Sequence, residues 1–329
     1  MVVNALDSFG TKSPSRTDPI AAMRAAGALF GLKKVPLSTF AGVPANNDLH
    51  VVVRTDTGQA IGQVGNSYEC FSNEEFFGPT ATALIEQTGA QIDRFQMLDH
   101  GVRSFMRLSW PSDRNICIGR PKVGDIVGRR CTLSTSHDGK FAGKFSLSML
   151  RLMCSNGMTV PVGEYEFGLT HTSGGHQQLI DLQKLVPVID RYIRQFEVAA
   201  NILVDTPVLV DDRTIAIVRK MVDPTQKAGE KKSGGAAQNR ANRVMMLFTG
   251  EQPGADSLEC RNTGWGLYQA ANHFFTHEKG TRGENESEQR FKSLLPGGSA
   301  NKEIVRAWGV VTEGLGVTER IESQLALLN

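Results

Sequence analysis

Alternation of apolar and polar positions is clearest in the middle of the chain. Residues 102–110 (VRSFMRLSW) put Val102, Met106, Leu108 and Trp110 on one side and Arg103 and Arg107 on the other. This period of two marks a half-buried strand. Residues 126–136 (IVGRRCTLSTS) and 141–150 (FAGKFSLSML) alternate in the same way around His137-Asp138-Gly139-Lys140. Asp-Gly between two alternating runs predicts a hairpin turning at 138–139. In the first run Cys131 and Leu133 oppose Arg130, Thr132, Ser134 and Ser136; in the second, Phe141, Phe145, Leu147 and Met149 oppose Lys144, Ser146 and Ser148. The expected sheet has one apolar side and one side of hydroxyls and cations.

Around this centre the pattern predicts further elements. Asp18-Pro19 opens an Ala-rich run to Leu32, with Asp as N-cap and Pro at the first helical position. Residues 49–57 and 60–64 are β-branched and separated by Gly58, a second hairpin. Asn73 can cap a helix through Ile85 closed by Gly89, and a β-rich stretch from 158 to about 172 precedes a helical pattern from Gln178 to Val204, which Pro187 is expected to kink. A helix over Asp212–Val222, helical spacing of Trp265, Tyr268, Ala271 and Phe275, and a last helix from about Asn301 complete the pattern. The predicted fold class is α+β: an antiparallel sheet built on β-hairpins with packed helices, followed by a helical carboxy-terminal part. The predicted organisation is a flexible arm (1–16), an α+β core (17–222), a flexible basic loop (223–240) rich in Gly, Lys and Ala, and a helical carboxy-terminal region (241–329) packing on the core.

Composition narrows the class. With 40% hydrophobic and 21% charged residues in 329, the chain can bury a substantial core and is not wholesale disordered. The start, MVVNALDSFG, lacks the basic region and apolar run of a signal peptide, and no run approaches a membrane span. The five cysteines never form a C-x-x-C pair. A protein of the cytoplasm with reduced thiols is expected, without a structural zinc and without a cofactor.

The net charge is only +2, but between Arg120 and Arg151 seven cations (Arg120, Lys122, Arg129, Arg130, Lys140, Lys144, Arg151) face two acids, Asp125 and Asp138. Cations interleaved with Ser and Thr suit a phosphodiester backbone, charge supplying affinity and hydroxyls supplying register. Arg103, Arg107, Arg129, Arg130, Lys140, Lys144 and Arg151 are the candidate nucleic-acid contacts, and Lys227, Lys231, Lys232, Arg240 and Arg243 form a second basic stretch able to fold over a bound strand. A solvated sheet face and a solvated linker would carry the same residues. His273-x-x-x-His277 has zinc-helix spacing, but Phe274 stands where a zinc protease has Glu, so a packing role is expected. His137-Asp138 reads as turn chemistry, and Cys154 has no recognisable base. No P-loop or dinucleotide loop occurs.

Arg54-Thr55-Asp56-Thr57-Gly58, Ile61-Gly62-Gln63-Val64-Gly65 with Tyr68, Asn73-Glu74, Ser136-His137-Asp138-Gly139-Lys140, Arg151 to Asn156, His171-Thr172 and Trp265 to His277 run in one order. Over roughly residues 30–310 they resemble the phage/plasmid-like family catalogued as domain of unknown function 932. The resemblance implies a mobile-element setting, in a bacterial host cell, and no established reaction. Such elements carry single-strand annealing proteins, including those similar to Rad52, an analogy of setting and of a basic hairpin sheet. The leading expectation is therefore an ATP-independent single-stranded-DNA-binding protein, with strand annealing as its extension, forming a homo-oligomer. The alternatives are a non-catalytic interaction factor that inhibits host defence, and a metal-dependent nuclease using Asp56, His137, Asp138 or His171.

The discount of the His273/His277 pair is directly checkable: elemental analysis of the purified protein should find no stoichiometric zinc, and one zinc per chain would reverse it.

Overall fold

The computed structural model describes residues 9–37, 48–119, 124–140, 143–152, 156–158, 166–169, 185–223, 235–280, 285–295 and 297–327. The fold is mixed α+β, with antiparallel sheets in the amino-terminal half and mainly helices from residue 187 onward.

Strands β1 (Thr11–Lys12), β5 (Gln91–Leu98), β6 (Arg103–Ser109), β8 (Asp125–Ser136), β9 (Gly143–Arg151) and β10 (Asn156–Met158) lie in that order in one antiparallel sheet. β7 (Ile116–Ile118) adds to β8, and β11 (Glu166–Leu169) adds to β9. β2 (Leu32–Pro36), β3 (Leu49–Arg54) and β4 (Ala60–Gly65) form a second, three-stranded sheet. The predicted hairpin is β8–β9, with Leu133 opposite Phe145 and Cys131 opposite Leu147. Its turn contains Gly139 at φ 70°, a left-handed value that glycine adopts without a Cβ clash. Phe141 and Arg120, Lys122 lie outside the described residues.

Helices follow: α1 (Pro19–Ala25), α2 (Asn73–Thr88), α3 (Leu185–Val204), α4 (Asp212–Val222), α5 (Gly235–Met246), α6 (Gly264–His273), α7 (Glu286–Leu294), α8 (Ser299–Leu315) and α9 (Thr318–Ala326). Several boundaries differ from the sequence reading for identifiable reasons. α1 stops at Ala25, and Leu32–Pro36 is strand paired with β3. The N-cap of α2 is Ser72, which forms a reciprocal capping box with Glu75; the Asn73 amide instead donates to the Ala28 carbonyl at 3.0 Å. Pro187 lies in the first turn of α3, where backbone N–H groups have no intrahelical acceptor, so its missing donor costs no helical bond. Residues 178–184 of that pattern are outside the described chain. Of the stretch expected to be a basic loop, Gly235–Arg240 is helical, and residues 224–234 lie outside the described chain. Ala237, Ala241 and Val244 recur at helical spacing and are buried, which holds that first turn of α5 on the protein. At the other end, the arm is tied down at Thr11–Lys12 by pairing with β5.

The first face of the large sheet carries Ile92, Phe95, Met106, Leu108, Cys131, Leu133, Phe145 and Leu147, packed with Phe77 of α2, Phe196 of α3 and Trp265 of α6 in one continuous core. The second face is covered locally by α7: Phe291 packs with Leu98 and Phe105, and its ring lies 5.9 Å from Phe105 and 4.8 Å from Phe9. A small separate cluster of Phe30, Val52, Ile61 and Val64 fills the space under the three-stranded sheet. That sheet docks on the hairpin turn at Gly62, where a Cβ would overlap the His137 carbonyl.

One charged pair sits inside the main core. Arg151, at the end of β9, is 0% exposed and its Nε donates to Asp125 Oδ2 at the start of β8. The Trp265 indole donates to the same oxygen at 2.9 Å, and Arg151 also reaches the Pro253 carbonyl at 3.1 Å. Removing one partner of a buried pair leaves an uncompensated charge. Asp125→Ala should therefore lower unfolding free energy by about 3–5 kcal/mol in urea titrations; a loss below about 1 kcal/mol would show that Arg151 is neutralised elsewhere.

Candidate nucleic-acid interface

Register, not sequence distance, decides which cations can act together. β6 to β9 pairing stacks four rows on the second sheet face: Arg103 beside Ser136; Phe105, Ser134 and Lys144; Arg107, Thr132 and Ser146; Ser109, Arg130 and Ser148. Successive rows are about 7 Å apart, two residues of an antiparallel strand. The alternation thus produces the predicted face of cations and hydroxyls, and β5 extends it with Arg94 opposite Arg107.

The candidate residues fall into three environments. Lys140, with its side chain 70% exposed, and Arg103, at 32%, stand at the open end beside the hairpin turn. Both approach Asp138, at 3.5 and 3.9 Å, and Arg103 is also 3.8 Å from Asp99. Lys144 is half-buried one row further in. Arg107 is only 9% exposed and, with half-buried Arg130, lines a cavity roofed by α7 and α8. Arg129 lies on the opposite face, near Asp190 and Glu197 of α3. Burial pulls its guanidinium below the usual pKa, and Asp190 works against that shift.

Arg151 is a correction: it belongs to the core ion pair with Asp125 and cannot reach a nucleic acid. It counts among the candidate contacts by its place in the basic cluster; its register opposite Val127 puts it on the apolar face. In the second basic stretch, Lys227, Lys231 and Lys232 lie outside the described residues. Arg240 is half-buried on α5, and Arg243 bridges Glu278, at 2.6 Å, and Glu251. These acids hold the Arg243 guanidinium above its usual pKa, Glu278 most strongly. Arg243 thus ties α5 to the π-helical turn (Phe274–Glu278) that follows α6.

An open groove lies where the small sheet meets the hairpin turn, about 630 Å³ in volume, lined by Gln63, Asp99, Arg103, Asp138 and Lys140 among others. The sequence reading did not anticipate this groove, nor Arg94. The signal for Arg94 is present but broken, since a register shift between Ile92 and Arg94 interrupts the period of two in β5.

The enzymatic candidates are placed as follows. Asp56 accepts from Arg54 at 2.7 and 3.0 Å, and that hydrogen bonding lowers its pKa. His137 is fully buried, 3.2 Å from Asn73 and edge-on to Phe30. Cys154 and His171 lie outside the described residues. Among the described residues, no group of three His, Cys, Asp or Glu could hold a metal ion. The rings of His273 and His277 lie 4.7 Å apart and tilted, with His273 buried and 3.8 Å from Glu278.

Burial lowers the His273 pKa, against the opposing pull of Glu278 and with small contributions from Arg151 and Arg243. The unfolded chain then binds a proton near pH 6.5 that the folded protein refuses until lower pH, so stability falls as pH drops below about 6.5. His273→Gln should flatten this: between about pH 7 and about pH 5, its denaturation midpoint should fall less than that of the unsubstituted protein. Identical pH dependences would assign the effect to other groups.

No helix among the described residues is long and apolar enough to cross a membrane. In comparisons with known proteins, no curated protein and no solved structure matches this chain. One family model does, described as a domain of unknown function (DUF932), over residues 60–295. That span contains the β8–β9 hairpin, the buried Asp125–Arg151 pair and the helix bearing Trp265. The chain belongs to the DUF932 family.

Proposed function

We propose that this protein binds the sugar–phosphate backbone of single-stranded DNA, without ATP, at the open end of the second sheet face. The observation that supports this is the pair Arg103 and Lys140 lining the groove at the hairpin turn, with Lys144 one row further along the same sheet face. Long cationic side chains at a groove margin attract a polyanion and need no base contact. Arg107 and Arg130 take no part, because α7 and α8 roof them. Asp99 and Asp138 reduce the local excess of positive charge, so binding is weak and salt-sensitive rather than tight. Strand annealing, as an extension, requires two strands to be held on neighbouring copies in a homo-oligomer.

The test is a salt titration of binding to a labelled single strand. Three phosphate contacts predict a slope of about −2 in log K against log salt, at about −0.7 per contact. Arg103→Gln with Lys140→Gln should reduce the slope to about −0.7 and weaken all sequences alike. No binding at low salt, or an unchanged slope in the double variant, would reject this face as the interface.

A further inference from the structure

The three-stranded sheet has two outer edges of different character. On one side β2 carries Lys33, Lys34 and Pro36, the charges and proline that keep an edge strand from pairing further. On the other side β4 reads Ala60-Ile61-Gly62-Gln63-Val64-Gly65, with neither a charge nor a proline. Among the described residues, no backbone group outside β3 bonds to residues 61–64. An edge of this kind leaves amides and carbonyls ready to pair with another extended chain.

The open groove at the hairpin turn runs along this edge. Residues 61–65 line it in unbroken succession. Successive side chains of a strand point to opposite faces, so such a run borders a groove only where the strand's edge is its wall. One face of β4 is already engaged, since a Cβ at Gly62 would overlap the His137 carbonyl and Val64 lies beside Gly139. Asp99, Val102, Arg103, Asp138 and Lys140 contribute the rest of the wall. Arg103 is the second observation. Its Nε is buried with no hydrogen-bond partner, and the nearest carboxylate oxygens, on Asp99 and Asp138, lie 3.8 and 3.9 Å from its other nitrogens, beyond hydrogen-bond length. Both acids have nearer donors: Lys292 at 3.0 Å on Asp99, and the Lys140 amide at 3.1 Å on Asp138. A guanidinium so placed can take a further carboxylate in its planar fork.

We propose that the groove is a docking site for an extended acidic peptide of a partner protein, which adds to the β4 edge as a fourth strand of the small sheet. Backbone pairing supplies affinity without regard to sequence, and a carboxylate side chain held by Arg103 supplies selectivity. At about 3.4 Å per residue, the lining part of β4 spans about 17 Å, the length of about five peptide residues. A sugar–phosphate chain has no alternating amides and carbonyls with which to complete this ladder. The docking is independent of DNA binding. Its regulatory consequence rests on the DNA reading above: both ligands use Arg103, so bound peptide displaces the single strand.

The experiment titrates the full chain with a short fluorescent peptide alternating Val and Glu, read by anisotropy, beside the same peptide N-methylated at every amide. One peptide per chain should bind. N-methylation should weaken it about tenfold or more, because it keeps the charge and removes the donors. Arg103→Gln should weaken it about tenfold, the loss of a charge-assisted bond. Lys144→Gln, outside the groove lining, should leave peptide binding unchanged. Backbone amide exchange should slow on binding in residues 61–65 and not in residues 32–36. Equal binding of the N-methylated peptide, or unchanged exchange in residues 61–65, overturns strand addition even if Arg103→Gln fails to fold. A dimer in sedimentation that the peptide dissociates gives the edge to a second copy of this chain and overturns the partner-peptide assignment. Peptide binding in a protein that binds no single strand rejects the DNA reading and upholds the docking site; DNA binding without peptide binding does the reverse. If both bind, an unchanged DNA affinity at saturating peptide overturns the shared use of Arg103.

Discussion

The buried contact of Arg151 with Asp125 is the constraint around which this protein is arranged. It joins the first residue of β8 to the last of β9, and the Trp265 indole brings α6 to the same carboxylate oxygen. Arg151 Nη2 also lies 3.0 Å from the Cys260 sulfur and its Nη1 reaches the Pro253 carbonyl. The hairpin of the amino-terminal half and the helices of the carboxy-terminal half are therefore locked through one polar centre inside an otherwise apolar core. An ion pair in such a place gives little net stability, because desolvation offsets the attraction. Its effect is on specificity: an alternative packing that separates Arg151 from Asp125 would bury a lone charge.

With one face of the sheet committed to that core, the other face inherits the remaining polar residues, and its two ends have different environments. Phe105 and Leu98 give α7 an apolar landing site, and Phe291 occupies it. Where α7 and α8 land, guanidiniums and hydroxyls are enclosed; beyond them, at the hairpin turn, Arg103 and Lys140 remain in contact with solvent. Charges in the enclosed part act in a lower dielectric and less screening than those in the groove. One strip of alternating sequence thus has a solvated end at the hairpin turn and a covered end beneath α7 and α8.

Much of the fold was legible because it depends on local rules. The period of two around Asp138-Gly139 foretold β8 and β9 and their pairing, since a side-chain period fixes the face and the turn fixes the partner. The Asp18 N-cap opens α1 and the left-handed Gly89 closes α2, as short-range chemistry requires. β5 was missed because a register shift breaks its alternation, and the first turn of α5 was read as loop because small residues betray their burial only once a partner surface exists.

The candidate interface was legible as composition but not as geometry. From the sequence alone, the apolar and polar faces of the hairpin, the α+β class and the local excess of cations were determined, because each depends on residues near one another in the chain. Only the tertiary structure decided that Arg151 is a core ion, that Arg107 and Arg130 lie beneath a helix from residues 286–294, and that Arg94 joins them. The physical reason is separation: a charge's environment is set by what packs over it, and those groups come from more than a hundred residues away.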